Sequence, residues 1–214
     1  MIKNQQINIF KNLKPHSCEN YKDNLLNCVG QMIDFTKLED GYIFLDVGTN
    51  LSWVTDELLK CKAKGEIHCF EPHPVLFKNL QEKHKYNKSV FLNETAVSNN
   101  NGEAHLYFKK EPTSNTDDGS SLDIRKNNIS GEHKKLVKTI KLSDYISKFD
   151  TIDVLKMDIE GAEYDVLEEL INNNAIHKIK YIFYECHAHK VPLDDIKKRV
   201  LTKLTELNIK TYFW

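Results

Sequence analysis

The stretch YIFLDVGTNLSWV, residues 42–54, decides the fold. Its apolar run ends on Asp46, turns through Gly48 and Asn50, and continues at once in a pattern typical of an amphipathic helix. Glycine permits a tight turn beside a ligand, and the helix that follows offers free N–H groups to a carboxylate or phosphate. The stretch predicts a buried strand, a turn and a helix. Because such turns are also common for purely structural reasons, this one alone does not define a ligand.

Length and composition indicate one domain without a strong charge. The 214 residues, 40% of them hydrophobic, can bury one core, and a formal net charge of -1 gives no general attraction for nucleic acid or anionic lipid. The cysteines form no Cys-x-x-Cys pair, and the first residues lack the apolar core of a signal peptide. No apolar run reaches the roughly 20 residues that span a bilayer. We therefore expect a reduced, cytoplasmic protein with no membrane span and no nucleic-acid partner.

Strand and helix patterns alternate along most of the chain. This alternation predicts an α/β fold in which helices flank a mostly parallel central sheet. Strands are predicted at residues 42–47, 66–71, 89–97, 151–158, 178–187 and 209–214. Helices are predicted at residues 19–38, 51–61, 74–86, 161–171 and 193–207. The predicted organisation is an N-terminal helical extension over residues 1–40 and one main domain over residues 41–214.

The middle of the chain breaks this alternation. Residues 102–108 and 135–142 alternate like two half-exposed strands that pair in antiparallel fashion. The segment between them, residues 109–133, is polar and rich in turn residues. A loop of this length in a compact domain is usually functional or mobile.

The ends of the strands are the expected binding positions, because ligands of open α/β sheets bind there. Glu71 ends the second predicted strand. An acidic residue roughly 20 positions after a glycine turn is placed to accept hydrogen bonds from ribose hydroxyls. The turn lacks the Gly-x-Gly-x-x-Gly pattern of the dinucleotide fold, so NAD is the less favoured nucleoside.

Five segments, taken in order, extend this interpretation to a family. They are FLDVGTNLS (44–52), CFEPHP (69–74), TAVS (95–98), LKMDIEGAE (155–163) and YECH (184–187). Together they resemble the FkbM-type methyltransferases, a branch of the class I S-adenosylmethionine-dependent enzymes, over about residues 42–213. The resemblance implies a Rossmann-like class I methyltransferase fold and S-adenosyl-L-methionine as cofactor.

The resemblance also implies a set of cofactor-binding residues around the methionine, ribose and adenine parts of the cofactor. They are Asp46, Gly48, Asn50, Glu71, Thr95, Ala96 and Ser121. One position departs from the family pattern, since Ser52 stands where a glycine is usual. A serine can still begin a helix, but we expect it to narrow the approach of the cofactor.

Carboxylates and a histidine follow the fourth and fifth strands. Asp158 and Glu160 point to the same side if the strand continues through them. Such a pair could provide a general base or hold a divalent cation such as magnesium. Glu163 either joins them or stabilises the start of a helix. His187, in the Glu-x-His that begins at Glu185, matches the family and is the leading candidate for a base or a substrate-orienting group.

The residues predicted to bind a metal or the substrate lie at the same strand ends and in the polar loop. Any metal would bind Asp158 and Glu185, whereas zinc is not favoured because no cysteine set completes a site. The loop resembles the serine-rich segment that lies over the cofactor in these enzymes. Ser120 and Ser121 are expected to contact cofactor or substrate, and Arg125 to meet an acidic or polyhydroxylated acceptor. The alternative is a disordered connection.

The first functional interpretation is an O-methyltransferase acting on a sugar hydroxyl, in a glycan or a glycosylated small molecule. The choice of a sugar as the acceptor is based only on the tendency of the family. A catalytically inactive module that binds S-adenosylmethionine or a nucleotide as a scaffold is the alternative, which Ser52 leaves open. Methylation of nucleic acid is not favoured, because the sequence predicts no basic surface and contains no Asn/Asp-Pro-Pro-aromatic motif. Because little follows the last helix, the chain is also a candidate module of a larger glycan-synthesising polypeptide, and its oligomeric state stays open.

Overall fold

The computed structural model describes residues 34–110 and 119–213. The strands in these residues are β1 (Tyr42–Val47), β2 (Gly65–Phe70), β3 (Val90–Asn93), β4 (Ala96–Ser98), β5 (Gly102–Lys109), β6 (Ile129–Lys141), β7 (Ile152–Met157), β8 (Ile179–Tyr184) and β9 (Thr211–Phe213). The α-helices are α1 (Trp53–Leu59), α2 (Pro74–His84), α3 (Leu142–Ile146), α4 (Glu163–Asn172) and α5 (Asp194–Glu206). Short 3-10 turns lie at Phe35–Lys37 and Ile176–Lys178.

The main sheet has six strands in the order β3-β2-β1-β7-β8-β9. Every neighbouring pair in it runs parallel. The chain adds strands in one direction from β1 to β3 and in the other from β7 to β9, so the order reverses between β1 and β7. This confirms the predicted parallel α/β fold and puts the ligand-binding edge at the carboxyl ends of β1 and β7.

A second, three-stranded sheet has the order β4-β6-β5. The antiparallel pairing of β5 with β6 confirms the predicted pair. The single strand predicted at residues 89–97 is wrong, because the chain turns at Asn93, whose carbonyl accepts the N–H of Thr95 at 3.0 Å. The residues before this turn join the main sheet as β3, and those after it join the second sheet as β4. Strand β6 also begins earlier than predicted, inside the polar segment.

The predicted N-terminal helix lies mostly outside the described residues. Its described end, Phe35–Lys37, is a 3-10 turn capped by the side chain of Asp34. Helix α3 was not predicted, because five residues are too short to show a helical period. Across residues 34–110 and 119–213, no helix combines the length and the apolar character that a membrane crossing requires.

The core lies on both faces of the main sheet. Along β1, Leu45 and Val47 pack into one cluster with residues of α4 and α5, whereas Tyr42 and Phe44 pack into another with Leu58 of α1. Successive side chains of a strand point to opposite faces, so a strand covered on both sides must be apolar throughout. The unbroken apolar run that begins the strand follows from this position.

The turn after β1 is held against both neighbouring strands. The N–H groups of Gly48 and Thr49 donate to the carbonyl of Phe70, and the N–H of Asp158 donates to the carbonyl of Val47 at 2.9 Å. Gly48 has a φ of 76°, and a Cβ there would lie 1.8 Å from the backbone oxygen of Asp158. Only glycine allows this close approach, which brings the ends of β1 and β7 together.

We expect the substitution Gly48→Ala to lower the free energy of unfolding by about 2–5 kcal/mol. A left-handed backbone costs an ordinary residue roughly 1–2 kcal/mol, and overpacking adds about 1–3 kcal/mol. Gly41→Ala is the matched control, because Gly41 has a φ of 86° but open space around its Cβ position. Urea unfolding of both variants measures the difference. Equal losses would show that the contact with Asp158 is unimportant.

Candidate active site

A cavity of about 300 Å³ lies over the carboxyl ends of β1, β2 and β7, where the strand order reverses. Concave sites of this size at this position are the usual ligand sites of doubly wound sheets. Most of the predicted site residues line it, namely Gly48, Asn50, Glu71, Thr95, Ala96, Ser120, Asp158, Glu160 and Glu185. Asp46, Ser121, Arg125 and His187 are not part of its wall.

Glu71 joins the turn after β1 to the segment after β2. Its Oε2 accepts the N–H of Asn50 at 2.8 Å, and its Oε1 accepts the N–H of His73 at 2.8 Å. Burial raises the pKa of Glu71 to about 7, although these two hydrogen bonds act to lower it. The carboxylate is therefore fixed in the cavity wall, and its charge changes near neutral pH.

Asp46 lies beneath the cavity, where it forms a buried ion pair. Its Oδ1 is 3.1 Å from the Nζ of Lys156, and its Oδ2 accepts the hydroxyl of Thr55 at 2.8 Å. The Nζ of Lys156 also donates to the carbonyl of Gly48 at 2.7 Å. Burial lowers the pKa of a lysine, but attraction to Asp46 and then Asp158 leaves the pKa of Lys156 raised. Asp46 thus acts on the cavity through Lys156 and the turn.

Of the three site residues predicted in the polar segment, Ser120 lines the cavity and two, Ser121 and Arg125, do not. Ser120 lines the cavity, and its Oγ is buried without a hydrogen-bond partner among the described residues. The hydroxyl of Ser121 instead donates to the backbone oxygen of Glu160 at 2.7 Å, which fixes this segment over the site. Arg125 is exposed and pairs with Asp123, and it is not part of the cavity wall.

The expected narrowing at Ser52 is wrong. Ser52 is fully buried with a φ of 63°, and it is not part of the cavity wall. Its hydroxyl oxygen lies 2.9 Å from the Nζ of Lys83 and 3.0 Å from the Nε2 of His84, both at the end of α2. The side chain therefore anchors the turn to α2 and leaves the cofactor side open.

One part of the cavity wall is acidic. Asp158, Glu160 and Glu185 all line it, but β7 ends at Met157, so Asp158 and Glu160 do not converge by strand alternation. Glu160 has a φ of 57°, and its Oε2 lies 2.8 Å from the Nζ of the buried Lys126. Burial, and after it the charge of Glu185, holds the pKa of Asp158 well above its usual range.

His187 lies behind these carboxylates and is completely buried. Its Nδ1 is 2.8 Å from the Oε1 of Glu163, which also accepts the N–H groups of Ile159 and Gly161. Burial lowers the pKa of a histidine, but Glu163 and then the other carboxylates raise the pKa of His187 to about 11. Of the two roles predicted for His187, a ring that its neighbours favour in the protonated form suits the orienting role better than that of a base.

Sequence reasoning missed two lysines of the site. Lys156 carried a signal, because a charge inside the apolar run of a central strand needs a buried partner. Lys126 carried none, since it stands among other polar residues in a segment without periodicity. The structure alone shows that each lysine holds a carboxylate of the site, Asp46 and Glu160 respectively.

The comparison with protein families identifies the class. Residues 46–208 match the methyltransferase FkbM domain, and the chain belongs to this family of methyltransferases. The prediction of the family and of a methyltransferase is confirmed. The chain is 25% identical over 177 residues to the hexuronic acid methyltransferase AglP of Haloferax volcanii, covering 79% of this chain and 68% of that protein. It is 26% identical over 169 residues to the 2-O-methyltransferase NoeI of Sinorhizobium fredii, covering 71% of this chain and 68% of that protein.

Two solved structures are also similar. One is a methyltransferase FkbM from Methylobacillus flagellatus, with a TM-score of 0.48 and 16% identity, covering 77% of this chain and 38% of that one. The other is the precorrin-6y C5,15-methyltransferase of Geobacter metallireducens, with a TM-score of 0.46 and 12% identity, covering 91% of this chain and 76% of that one. We base the fold class on the strand order of this chain itself.

Replacing Lys156 by methionine tests the buried ion pair. We expect Lys156→Met to lower the free energy of unfolding by about 3–5 kcal/mol, because it leaves the carboxylate of Asp46 buried without its cation. The double variant Asp46→Asn, Lys156→Met removes both charges, and its free energy of unfolding should fall clearly less. Urea unfolding of the wild type and both variants measures this. Equal losses in the two variants would contradict a charge effect.

Proposed function

We propose that this domain transfers a methyl group from S-adenosyl-L-methionine to a hydroxyl of a sugar. The observation that carries the proposal is that one cavity is lined both by the turn after β1 with Glu71 and by the carboxylates of Asp158 and Glu185. The family supplies the reaction class. The activities that AglP and NoeI are named for, methylation of a hexuronic acid and 2-O-methylation, support an oxygen acceptor on a sugar.

One group of residues in the cavity wall fits the cofactor. Glu71 presents a buried carboxylate that can accept hydrogen bonds from ribose hydroxyls. The wall beside it is apolar, as an adenine ring requires, and consists of Phe70, Ala96, Val97, Leu106 and Leu122. Ser120 also lines the cavity, and its buried hydroxyl has no hydrogen-bond partner among the described residues, so it could serve a ligand after a small shift. When bound, the cofactor would supply the methyl group on its sulfonium.

A second group of residues in the wall fits a polyhydroxylated acceptor. Carboxylates accept hydrogen bonds from neighbouring hydroxyls, and Asp158 and Glu185 lie side by side in the wall. Leu51 also lines this cavity, as does Trp53, of which 46% of the surface is exposed. Exposed apolar side chains at a cavity mark a surface for a ligand. A sugar offers both the hydroxyls and the apolar ring face that such a site requires.

The chain itself would position the acceptor and remove its proton. An alcohol is a poor nucleophile until its proton leaves, so a base must lie beside it. Asp158 is the candidate by position, since it lies in the wall next to the turn that is expected to hold the cofactor. Glu163 and Lys126 keep the surrounding groups in place through His187 and Glu160.

The scaffold alternative loses its main support. It depended on Ser52 obstructing the cofactor, but the side chain of Ser52 is bound to α2 and is not part of the cavity wall. The carboxylates at the far end of the cavity are all in place. We therefore keep methyl transfer as the proposed function.

The first test separates cofactor binding from chemistry. We expect the wild type to bind S-adenosylhomocysteine at one site in calorimetry, with NAD as the negative control, and to methylate a hexuronic acid or a related sugar. Asp158→Asn should keep the affinity for S-adenosylhomocysteine within about threefold while lowering kcat by roughly 10²–10⁴, the usual contribution of a general base. Absence of binding in the wild type would overturn the proposal. Parallel loss of binding and turnover in the variant would remove Asp158 from the chemistry.

The affinity for S-adenosylhomocysteine should depend on pH through Glu71. Its pKa of about 7 means that the carboxylate is ionised above pH 7 and protonated below it. Ribose hydroxyls need the ionised form as acceptor, so the dissociation constant should rise roughly tenfold for each pH unit below 7. Calorimetry between pH 5.5 and pH 8.5 measures this. Glu71→Gln should bind weakly at every pH, and a variant that kept the wild-type profile would show that another group titrates.

A further inference from the structure

We propose that Asp158, Glu185 and His187 form a binding site for a divalent transition-metal ion at the acceptor end of the cavity. One ligand atom from each of these residues can be chosen so that all three lie within 4.8 Å of one another. Sequence reasoning placed a metal candidate at the two carboxylates only. The structure adds an imidazole nitrogen, and this changes the kind of ion the site would prefer.

The strongest observation is the state of the Nε2 atom of His187. The side chain is completely buried, and Nε2 makes no hydrogen bond among the described residues. Carboxylates surround this atom, so positive charge is favoured there, either as a proton on the ring or as a divalent cation in its place. Nε2 lies 3.3 Å from the Oε1 of Glu185 and 3.9 Å from the Oδ1 of Asp158, without hydrogen-bonding geometry to either. An ion between these three atoms would satisfy it.

The other nitrogen of the ring is arranged as in a metal ligand. The Nδ1 of His187 is bonded to the Oε1 of Glu163 at 2.8 Å, and Glu163 is itself fully buried and held by backbone N–H groups. Histidines that bind metals almost always donate their second N–H to such an acceptor, which fixes the ring and its tautomer. The carboxylate of Glu163 therefore leaves Nε2 as the atom available for coordination.

The two separations from Nε2 suit a small ion after minor adjustment. Neighbouring donor atoms around an ion with bonds of about 2.1 Å lie roughly 3.0–3.5 Å apart in octahedral or tetrahedral coordination. The separation between Nε2 and Glu185 falls in this range, and the one to Asp158 exceeds it by a few tenths of an ångström. Glu160 also approaches Nε2, at 3.1 Å, but its same oxygen already receives the buried Lys126. We therefore leave Glu160 out of the ligand set.

The ligand types indicate the ion. Two carboxylates and one imidazole combine the oxygen donors that suit Mn²⁺ with a nitrogen donor, which Mg²⁺ and Ca²⁺ rarely use. We therefore expect Mn²⁺ to bind and Zn²⁺ to compete with it. The ion takes the place of any proton on Nε2, and that proton passes to the solvent.

The ion would also define how the acceptor binds, and this part rests on the proposed function. A site with three protein ligands keeps open positions, where the hydroxyl to be methylated and a neighbouring sugar oxygen could coordinate. Coordination lowers the pKa of the hydroxyl, and the Oδ2 of Asp158, which need not bind the ion, remains to accept its proton. The expected acceptor is thus a sugar with two vicinal oxygen atoms.

The test measures the ion directly on the wild-type chain. Titration with Mn²⁺, followed by the electron paramagnetic resonance signal of the free ion, should show one site per chain that Zn²⁺ displaces. Electron spin echo modulation should detect one histidine nitrogen bound to the Mn²⁺. Both readouts need neither a substituted protein nor methyl transfer. Saturation without a nitrogen signal, or no saturable binding at millimolar Mn²⁺, would overturn the proposal.

Variants locate the site. Asp158→Asn, Glu185→Gln and His187→Gln should each weaken Mn²⁺ binding by about tenfold or more, and Glu163→Gln by roughly 10–100-fold through the ring it orients. Glu168→Gln is the matched control, since Glu168 lies on the same helix but pairs with Arg199. Thermal unfolding of each variant identifies any that fail to fold. Unchanged affinity in the folded variants would overturn the site, even if S-adenosylhomocysteine binding and methyl transfer hold. Mn²⁺ binding without S-adenosylhomocysteine binding would instead overturn the proposed function alone.

Discussion

The ion pair between Asp46 and Lys156 is the interaction on which the rest of the site depends. It joins the two central strands, β1 and β7, where the order of the sheet reverses, and both charges are buried. The same Lys156 Nζ donates to the carbonyl of Gly48, so the turn that begins the cavity is fixed to the strand that ends in Asp158. A buried pair of this kind contributes little net stability but penalises any other arrangement of the strands. It therefore specifies the geometry of the site more than the strength of the fold.

The cavity beside this ion pair has two parts that differ in their charged groups. Near the turn, the charged group is Glu71, which is held by two backbone N–H groups and suits the hydroxyls of a ligand. Past Gly48, the carboxylates of Asp158 and Glu185 are crowded together. Two regions of unlike character within one cavity suit a reaction between two different molecules, as methyl transfer to an acceptor requires. The family assignment and the site thus agree on the class of reaction.

The acidic end is rigid because each of its groups is supported from behind. Glu163 holds the ring of His187, Lys126 holds Glu160, and the hydroxyl of Ser121 holds the backbone of Glu160. Groups fixed in this way need little rearrangement when a ligand arrives, which is the physical basis of preorganised catalysis. The polar segment between β5 and β6 contributes to this support through Ser121 and Lys126, and to the cavity wall through Ser120.

The sequence by itself determined the parallel sheet, the turn at Gly48 and the family, because these depend on local patterns of apolar residues, glycines and strand-end carboxylates. Most of the residues that it named for the site also line the cavity. Tertiary structure alone decided the direction of side chains outside regular elements: Ser52 bonds α2, Ser121 supports Glu160, Arg125 pairs with Asp123, and His187 lies behind the carboxylates. Strand alternation could not predict these positions, since β7 ends before Asp158 and the backbone of Glu160 is left-handed. Each depends on contacts between residues far apart in the chain, which no local pattern contains.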